Sequence, residues 1–197
     1  MKTNRWDDHY ARRAREEKWL ARSVYKLQEI DSKYKIIRRG ERILDLGCYP
    51  GSWSQYGIKK VGPQGQVAGI DLFKPVQISS PNYIYIQADV LAIDVEWLIN
   101  ELGPRDAVIS DLAPQTTGVR SMDASRSILL ARRAGDIAAA LLRDGGRFVC
   151  KVFEGEDVRE LKSWVSYHFK QVRLFRPKAT RKRSREVYII GLDLVEH

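Results

Sequence analysis

The stretch DLGCYPGSWSQY, residues 45–56, leaves a short apolar run through two glycines and a proline and ends among aromatic residues. A glycine-hinged turn between a buried strand and a helix holds the backbone close to a ligand. Four aspartates close apolar runs: Asp45, Asp71, Asp89 and Asp111. Singly, such an aspartate caps a helix or shapes a turn. Four around one crevice would form a site for a cation and for hydroxyl groups. Asp71 stands 20 residues after Gly51, the spacing at which a carboxylate accepts both hydroxyls of a ribose. Lys151 is out of place in another way, because it interrupts the apolar run FVCKVF. A lysine there either guards a strand edge or is buried for a chemical purpose.

The turn narrows the choice of ligand. A phosphate-binding Walker loop needs Gly-Lys-Ser/Thr, and GCYPGSW has no lysine. A dinucleotide fold prefers G-x-G-x-x-G, which lets backbone amides approach a pyrophosphate. Here the pattern is G-x-x-P-G. A crevice rich in carboxylates repels phosphates and suits a cation. S-adenosyl-L-methionine, a nucleoside carrying a sulfonium and an ammonium, matches. The two cysteines, Cys48 and Cys150, do not make a disulfide framework or a metal site, and they read as free thiols of a cytoplasmic protein. No metal is expected. His9 and His168 fall in polar helical stretches, so histidine chemistry is not expected either.

These residues need a scaffold, and the pattern of the chain supplies one. Residues 5–34 read as one helix, without Gly or Pro. ERILDLG, QVAGIDL, NYIYIQADV, DAVISDLAP and RFVCKVF read as strands. Helical stretches separate most of them, and Gly62-Pro63, Gly103-Pro104 and Gly145-Gly146 stop those helices. A polar loop is expected up to Asp123, ahead of a helix over 124–144. QVRLF and EVYIIGLDLV, joined by a basic loop, should pair antiparallel. The expectation is a doubly wound, Rossmann-like α/β methyltransferase fold, its seven-stranded sheet mostly parallel with an antiparallel C-terminal strand and helices on both faces. All 197 residues are expected to form one domain, with 1–40 a basic helical N-terminal segment. No stretch reaches the roughly 18 apolar residues of a membrane span.

The net charge of +9 is unevenly spread. Residues 1–40 hold 12 Lys/Arg against 6 Asp/Glu, and residues 170–185 hold 8 Lys/Arg and no acid. Such clustering suits a polyanion, nucleic acid first, although a solvated face is the plainer alternative for the first segment. Trp6, Tyr10, Trp19, Tyr25 and Tyr34 lie among the arginines of that segment. They either stack on unpaired bases or pack the helix down, and Tyr25, beside Lys26, leans toward the substrate.

RSVYKLQEID, DLGCYPGSWSQY, VISDLAP, KVFEGE and RSREVYII together resemble the FtsJ/RlmE family of ribosomal RNA ribose 2′-O-methyltransferases over nearly the whole chain. The resemblance implies a catalytic tetrad of Lys26, Asp111, Lys151 and Glu186. It implies cofactor contacts at Gly51, Trp53, Asp71, Asp89 and Asp111. It also implies large-subunit ribosomal RNA, or the subunit itself, as partner and a ribose, expected on a uridine, as target. A tRNA anticodon loop is the nearest alternative substrate; an RNA-binding protein without catalysis is the alternative from another class. Cys48, Tyr49 and Ser52 depart from the small residues common in the family, and QTTG after Pro114 departs from an Asn-led loop.

The tetrad makes chemical sense. Methyl transfer to a hydroxyl is an in-line displacement that rewards positioning and a base for the hydroxyl proton. A free lysine is neutral in only about one molecule in 2500 at pH 7, and burial or a nearby cation favours the neutral form. Lys151 is the expected base, with Lys26 its neighbour.

Overall fold

In the computed structural model the described residues are 5–75, 77–155 and 157–195, with side chains described from residue 9 onward; Trp6 and His197 therefore lie outside the described side chains. The elements are α1 (Arg5–Glu16), α2 (Val24–Tyr34), β1 (Arg42–Leu46), α3 (Ser52–Val61), β2 (Gln66–Asp71), β3 (Tyr83–Gln87) and α4 (Val95–Leu102). They continue as β4 (Arg105–Ser110), α5 (Arg120–Leu141), β5 (Leu142–Phe153), α6 (Val158–His168), β6 (Phe169–Phe175) and β7 (Glu186–Leu194). One seven-stranded sheet runs β3-β2-β1-β4-β5-β7-β6. All pairings up to β5 are parallel, and β7 is antiparallel to both neighbours, as the basic loop between the last two strands required.

The N-terminal helix is two helices rather than one. Helix α1 ends at Glu16, and Lys18 takes a left-handed φ of 59°. Nothing in the local sequence forbids helix there; tertiary contacts win. Gln55 of α3 accepts from Leu20 N and donates to Lys18 O, and Glu17 accepts from the Trp19 indole. Helix α5 also starts earlier than expected, at Arg120. Asp123 folds the polar loop onto its first turn by accepting from Thr117 N and Gly118 N. At its other end α5 stops at Leu141, and residues 142–144 already belong to β5.

Residue parity along the strands divides the core in two. Leu44, Ile70, Val108, Phe148 and Cys150 face α4, α5 and α6, whereas Ile43, Ile109, Val149, Tyr188 and Ile190 face α2 and α3. Continuing that alternation puts Asp111, Lys151 and Glu186 on the α2/α3 side. The crevice lies where strand order reverses, between β1 and β4, the switch point at which open α/β sheets bind ligands. No described helix is long and apolar enough to cross a membrane.

Candidate active site

Four segments bring the tetrad together as two ion pairs. Lys26 reaches from α2 and its Nζ donates to Glu186 Oε2 at 2.6 Å. Lys151 Nζ donates to Asp111 Oδ1 at 3.0 Å and to the Asp111 carbonyl. The Tyr188 hydroxyl donates to the same Oδ1 at 2.8 Å. The register explains why: Lys151 lies opposite Tyr188, and Phe153 opposite Glu186, across the β5/β7 ladder. The Lys151 side chain is 4% exposed, so this lysine is no edge guard. Burial pushes the Asp111 carboxyl up, but the Lys151 and Lys26 ammoniums and the bonds from Lys151 and Tyr188 outweigh it and hold Asp111 below its ordinary range. Tyr188 was not singled out from sequence, although its place two residues after Glu186, on the same strand face, is the signal that would have found it.

Beside this cluster opens a cavity of about 620 Å³. Asp71, Asp89 and Asp111 border it, with apolar flanks from Leu91, Leu112 and Leu129. The fourth carboxylate does not join them. Asp45 is fully buried inside the sheet and accepts from the Ser54 hydroxyl at 2.7 Å, with its Oδ1 unpartnered. Three carboxylates, rather than four, therefore face the ligand space. Asp71 also sets the shape of the rim: Tyr49 N and Phe73 N each donate to one of its oxygens, at 2.9 and 3.0 Å.

The turn itself needs its glycines. Gly47 has φ 77°, and a Cβ there would come within 2.8 Å of Leu112. Gly51 has φ 119°, and a Cβ would meet Ile78 and Leu20 at 2.7 and 2.8 Å. Neither Gly51 nor Trp53 is among the residues lining the cavity. Trp53 is buried, and its Nε1 donates to Ser23 O at 3.0 Å, while Ser52 Oγ meets Ser23 Oγ at 2.9 Å. These contacts fasten the start of α2, and so position Lys26. Of the family departures, Cys48 packs inward against Tyr83 and Ser52 fastens α2, whereas Tyr49 and Gln115, the first residue of QTTG, border the cavity. Tyr25 is buried, with its hydroxyl donating to Glu17, which places its ring under Arg13 rather than open to solvent.

Asp45 carries a prediction about stability. Burial, then the Asp111 and Asp71 charges, push its carboxyl up to about 7, against the Ser54 hydrogen bond. The folded state thus keeps a proton that the unfolded chain gives up near pH 4. Stability contributed by this group therefore falls as pH rises from about 4 to about 7 and stays low above that. Asp45→Asn should remove the penalty: equal melting temperatures for parent and variant near pH 4, and a higher one for the variant at pH 8. Parallel melting curves of the two proteins across pH 4–8 would refute it.

The two basic segments meet at the same face. Glu29 of α2 accepts from Lys178 N and Ala179 N, at 2.7 and 2.9 Å, and Arg22 donates to Ala179 O. The loop from Arg176 to Arg185 is thereby held against α2 and leads directly into Glu186.

The comparisons agree with this fold. The family model for FtsJ-like methyltransferases matches residues 19–194. A ribosomal RNA large subunit methyltransferase E from Desulfosudis oleivorans is 47% identical over 189 residues, covering 96% of this chain and 91% of that protein. One from Desulforapulum autotrophicum is 45% identical over 194 residues, covering 97% and 94%. The crystal structure of a protein described as a ribosomal RNA methyltransferase from Plasmodium falciparum superposes with a TM-score of 0.80 at 26% identity, over 91% of this chain and all of that one. On its fold, its site and these relatives, the chain belongs to the FtsJ-like methyltransferase family.

Proposed function

We propose that this chain uses S-adenosyl-L-methionine to methylate a ribose 2′-hydroxyl of large-subunit ribosomal RNA, as a single methyltransferase domain working in the cytoplasm. The observation that carries the proposal is the meeting of two lysine–carboxylate pairs, one of them built on the buried Lys151, beside a carboxylate-lined cavity that Asp111 borders. The names of the curated relatives support the RNA class.

The cavity suits the cofactor. Its volume falls in the range of small-molecule sites, roughly 300–1,000 Å³. Each Asp71 oxygen already accepts one amide and keeps a lone pair for a ribose hydroxyl. Asp89 and Asp111 supply negative charge for the ammonium and sulfonium, and Tyr49 and Phe73 offer ring surface at the rim. Gly51 and Trp53 serve the site indirectly, through the turn and through α2. When bound, S-adenosyl-L-methionine supplies an electrophilic methyl group.

The chain's own residues do the rest. Lys151 Nζ, once its ammonium has released a proton to solvent, takes the hydroxyl proton as the oxygen gains the methyl group. Asp111 and its carbonyl hold the ammonium that results, and Tyr188 fixes the carboxylate. Lys26, tied to Glu186, donates to the hydroxyl oxygen and sets its direction. Little protein motion is needed, because the donors and acceptors are already paired in place.

Calorimetry should show binding of S-adenosyl-L-methionine or its demethylated product, and none of NAD. Asp71→Ala should weaken that binding by about tenfold or more, through loss of charge-assisted bonds to the ribose and of the rim's anchor. NAD binding without S-adenosyl-L-methionine binding would overturn the cofactor assignment.

The basic segments should track phosphates. RNA affinity is expected to fall by roughly 0.7–0.9 log units per log unit of salt for each phosphate contacted. Replacing Arg181, Lys182 and Arg183 with glutamine should flatten that slope and leave cofactor binding unchanged. A salt slope equal to the parent's would make the cluster an ordinary solvated face.

A further inference from the structure

A second cavity, of about 450 Å³, lies between α1, α2 and the end of β6. It is separate from the cofactor cavity and shares no lining residue with it. Tyr10 and Phe175 supply aromatic surface, with the buried Tyr25 ring behind Arg13, Gln28 an amide, and Arg13 and Lys178 positive charge. We propose that this groove holds an unpaired nucleobase of the substrate RNA, from a nucleotide flanking the one that is methylated. The inference rests on the RNA reading above and goes beyond it by assigning a base subsite.

The chemistry of the lining points to a base rather than to a phosphate. Aromatic rings and guanidinium planes stack on unpaired bases, and an amide reads base edges. Tyr10 and Phe175 are half-buried and come from different elements, so the rings are held by the fold. Cations lie over the rings: Arg13 is 4.6 Å from the Tyr25 centroid and Lys33 is 4.8 Å from that of Phe175. Glu29 also lines the groove, and its two oxygens hold the amides of Lys178 and Ala179. A carboxylate at that position disfavours a phosphate inside the groove. Phosphates fit the basic loop outside, and the base is left to point in.

Position supports the same reading. The groove is built on α2, which carries Lys26, and on the start of the loop that ends at Glu186. Gln28 and Glu29 lie two and three residues beyond Lys26, so the groove begins within about one helical turn, roughly 5 Å along the axis, of the catalytic pair. A strand of RNA with its target ribose at Lys151 and Lys26 passes this groove with a neighbouring nucleotide.

Two measurements test the proposal, both with the whole chain. The first is photocrosslinking to a ten-residue 5-iodouridine oligoribonucleotide, with adducts located by mass spectrometry. Adducts at Tyr10 or Phe175 are expected; adducts confined to residues 176–185, or to other surfaces, would overturn the subsite. The second is the affinity of the parent, Tyr10→Leu and Gln28→Ala for the same-length oligouridylate across a range of salt. Leucine keeps apolar bulk at position 10 and removes the ring; Gln28→Ala changes a half-buried polar side chain and leaves the core alone. Loss of one stacked base should weaken binding in Tyr10→Leu by roughly 5- to 150-fold. The salt slope should stay at the parent's value, because no phosphate contact is lost. Gln28→Ala should follow in the same direction. Unchanged affinity in both variants, or a slope that flattens with the loss, would refute a base subsite. S-adenosyl-L-methionine affinity unchanged in both variants separates this result from misfolding. If the parent itself binds no RNA, the broader reading fails instead.

Discussion

Lys151→Arg is expected to lower single-turnover methyl transfer to RNA by about 10²- to 10⁴-fold, the usual loss when a general base is removed, while cofactor affinity stays at the parental value. Arginine keeps the positive charge and can still donate to Asp111, so the buried pair survives in part. What it cannot do is give up a proton at any usable pH. The variant therefore separates the base role from the electrostatic one. Lys151→Ala should lose as much activity and more stability, because it leaves the Asp111 carboxylate among apolar strands without its ammonium. Glu186→Ala should do less harm, since Lys26 keeps its place on α2 and orientation is partly recovered. Transfer by Lys151→Arg at the parental rate would remove the proton-acceptor role from Lys151.

Asp111→Ala is the second large effect, and it is mainly one of stability. The substitution leaves the Lys151 ammonium with a backbone carbonyl and no counter-charge, and it strips the Tyr188 hydroxyl of its acceptor. Breaking such a buried pair costs about 3–5 kcal/mol, and a domain of this size loses about 2–4 °C in melting temperature per kcal/mol. Asp111→Asn, which retains an acceptor oxygen, should recover part of that. The pH dependence has a definite sign. Because Asp111 is held below its ordinary range, its stabilisation is present above the unfolded carboxylate value near 4 and lost as pH falls through the lower folded value. The difference in melting temperature between parent and Asp111→Ala should therefore shrink as pH falls below 4. A variant that melts with the parent would show that the pair contributes nothing to the fold.

The sequence carried the sheet well because its signals were local. Apolar runs of five or six residues, with glycine stops between them, marked β1 to β5, and the helix-free basic loop between QVRLF and EVYIIGLDLV implied the antiparallel end. Lys151 was legible for a related reason: a lysine inside an apolar strand conflicts with its neighbours. What was not legible depended on contacts between distant segments. The break at Lys18 is imposed by Gln55, 37 residues away. Asp45 reads like Asp71 and Asp111 in sequence, yet it sits one residue inside its strand, under Ser54, and is cut off from the cavity. Trp53 shows the same limit, since only the fold reveals that its indole ties down Ser23. Tyr188 was hidden because tyrosine in a strand is ordinary, and only the ladder with β5 sets it opposite Lys151.

The most direct test of the whole account is a map of ribose methylation in large-subunit ribosomal RNA from cells with and without this protein. The account predicts one 2′-O-methyl mark that disappears without the protein, returns when the parent chain is restored, and stays absent when Lys151→Arg is supplied instead. An unchanged set of 2′-O-methyl marks in that RNA, or a mark lost from a transfer RNA alone, would contradict it.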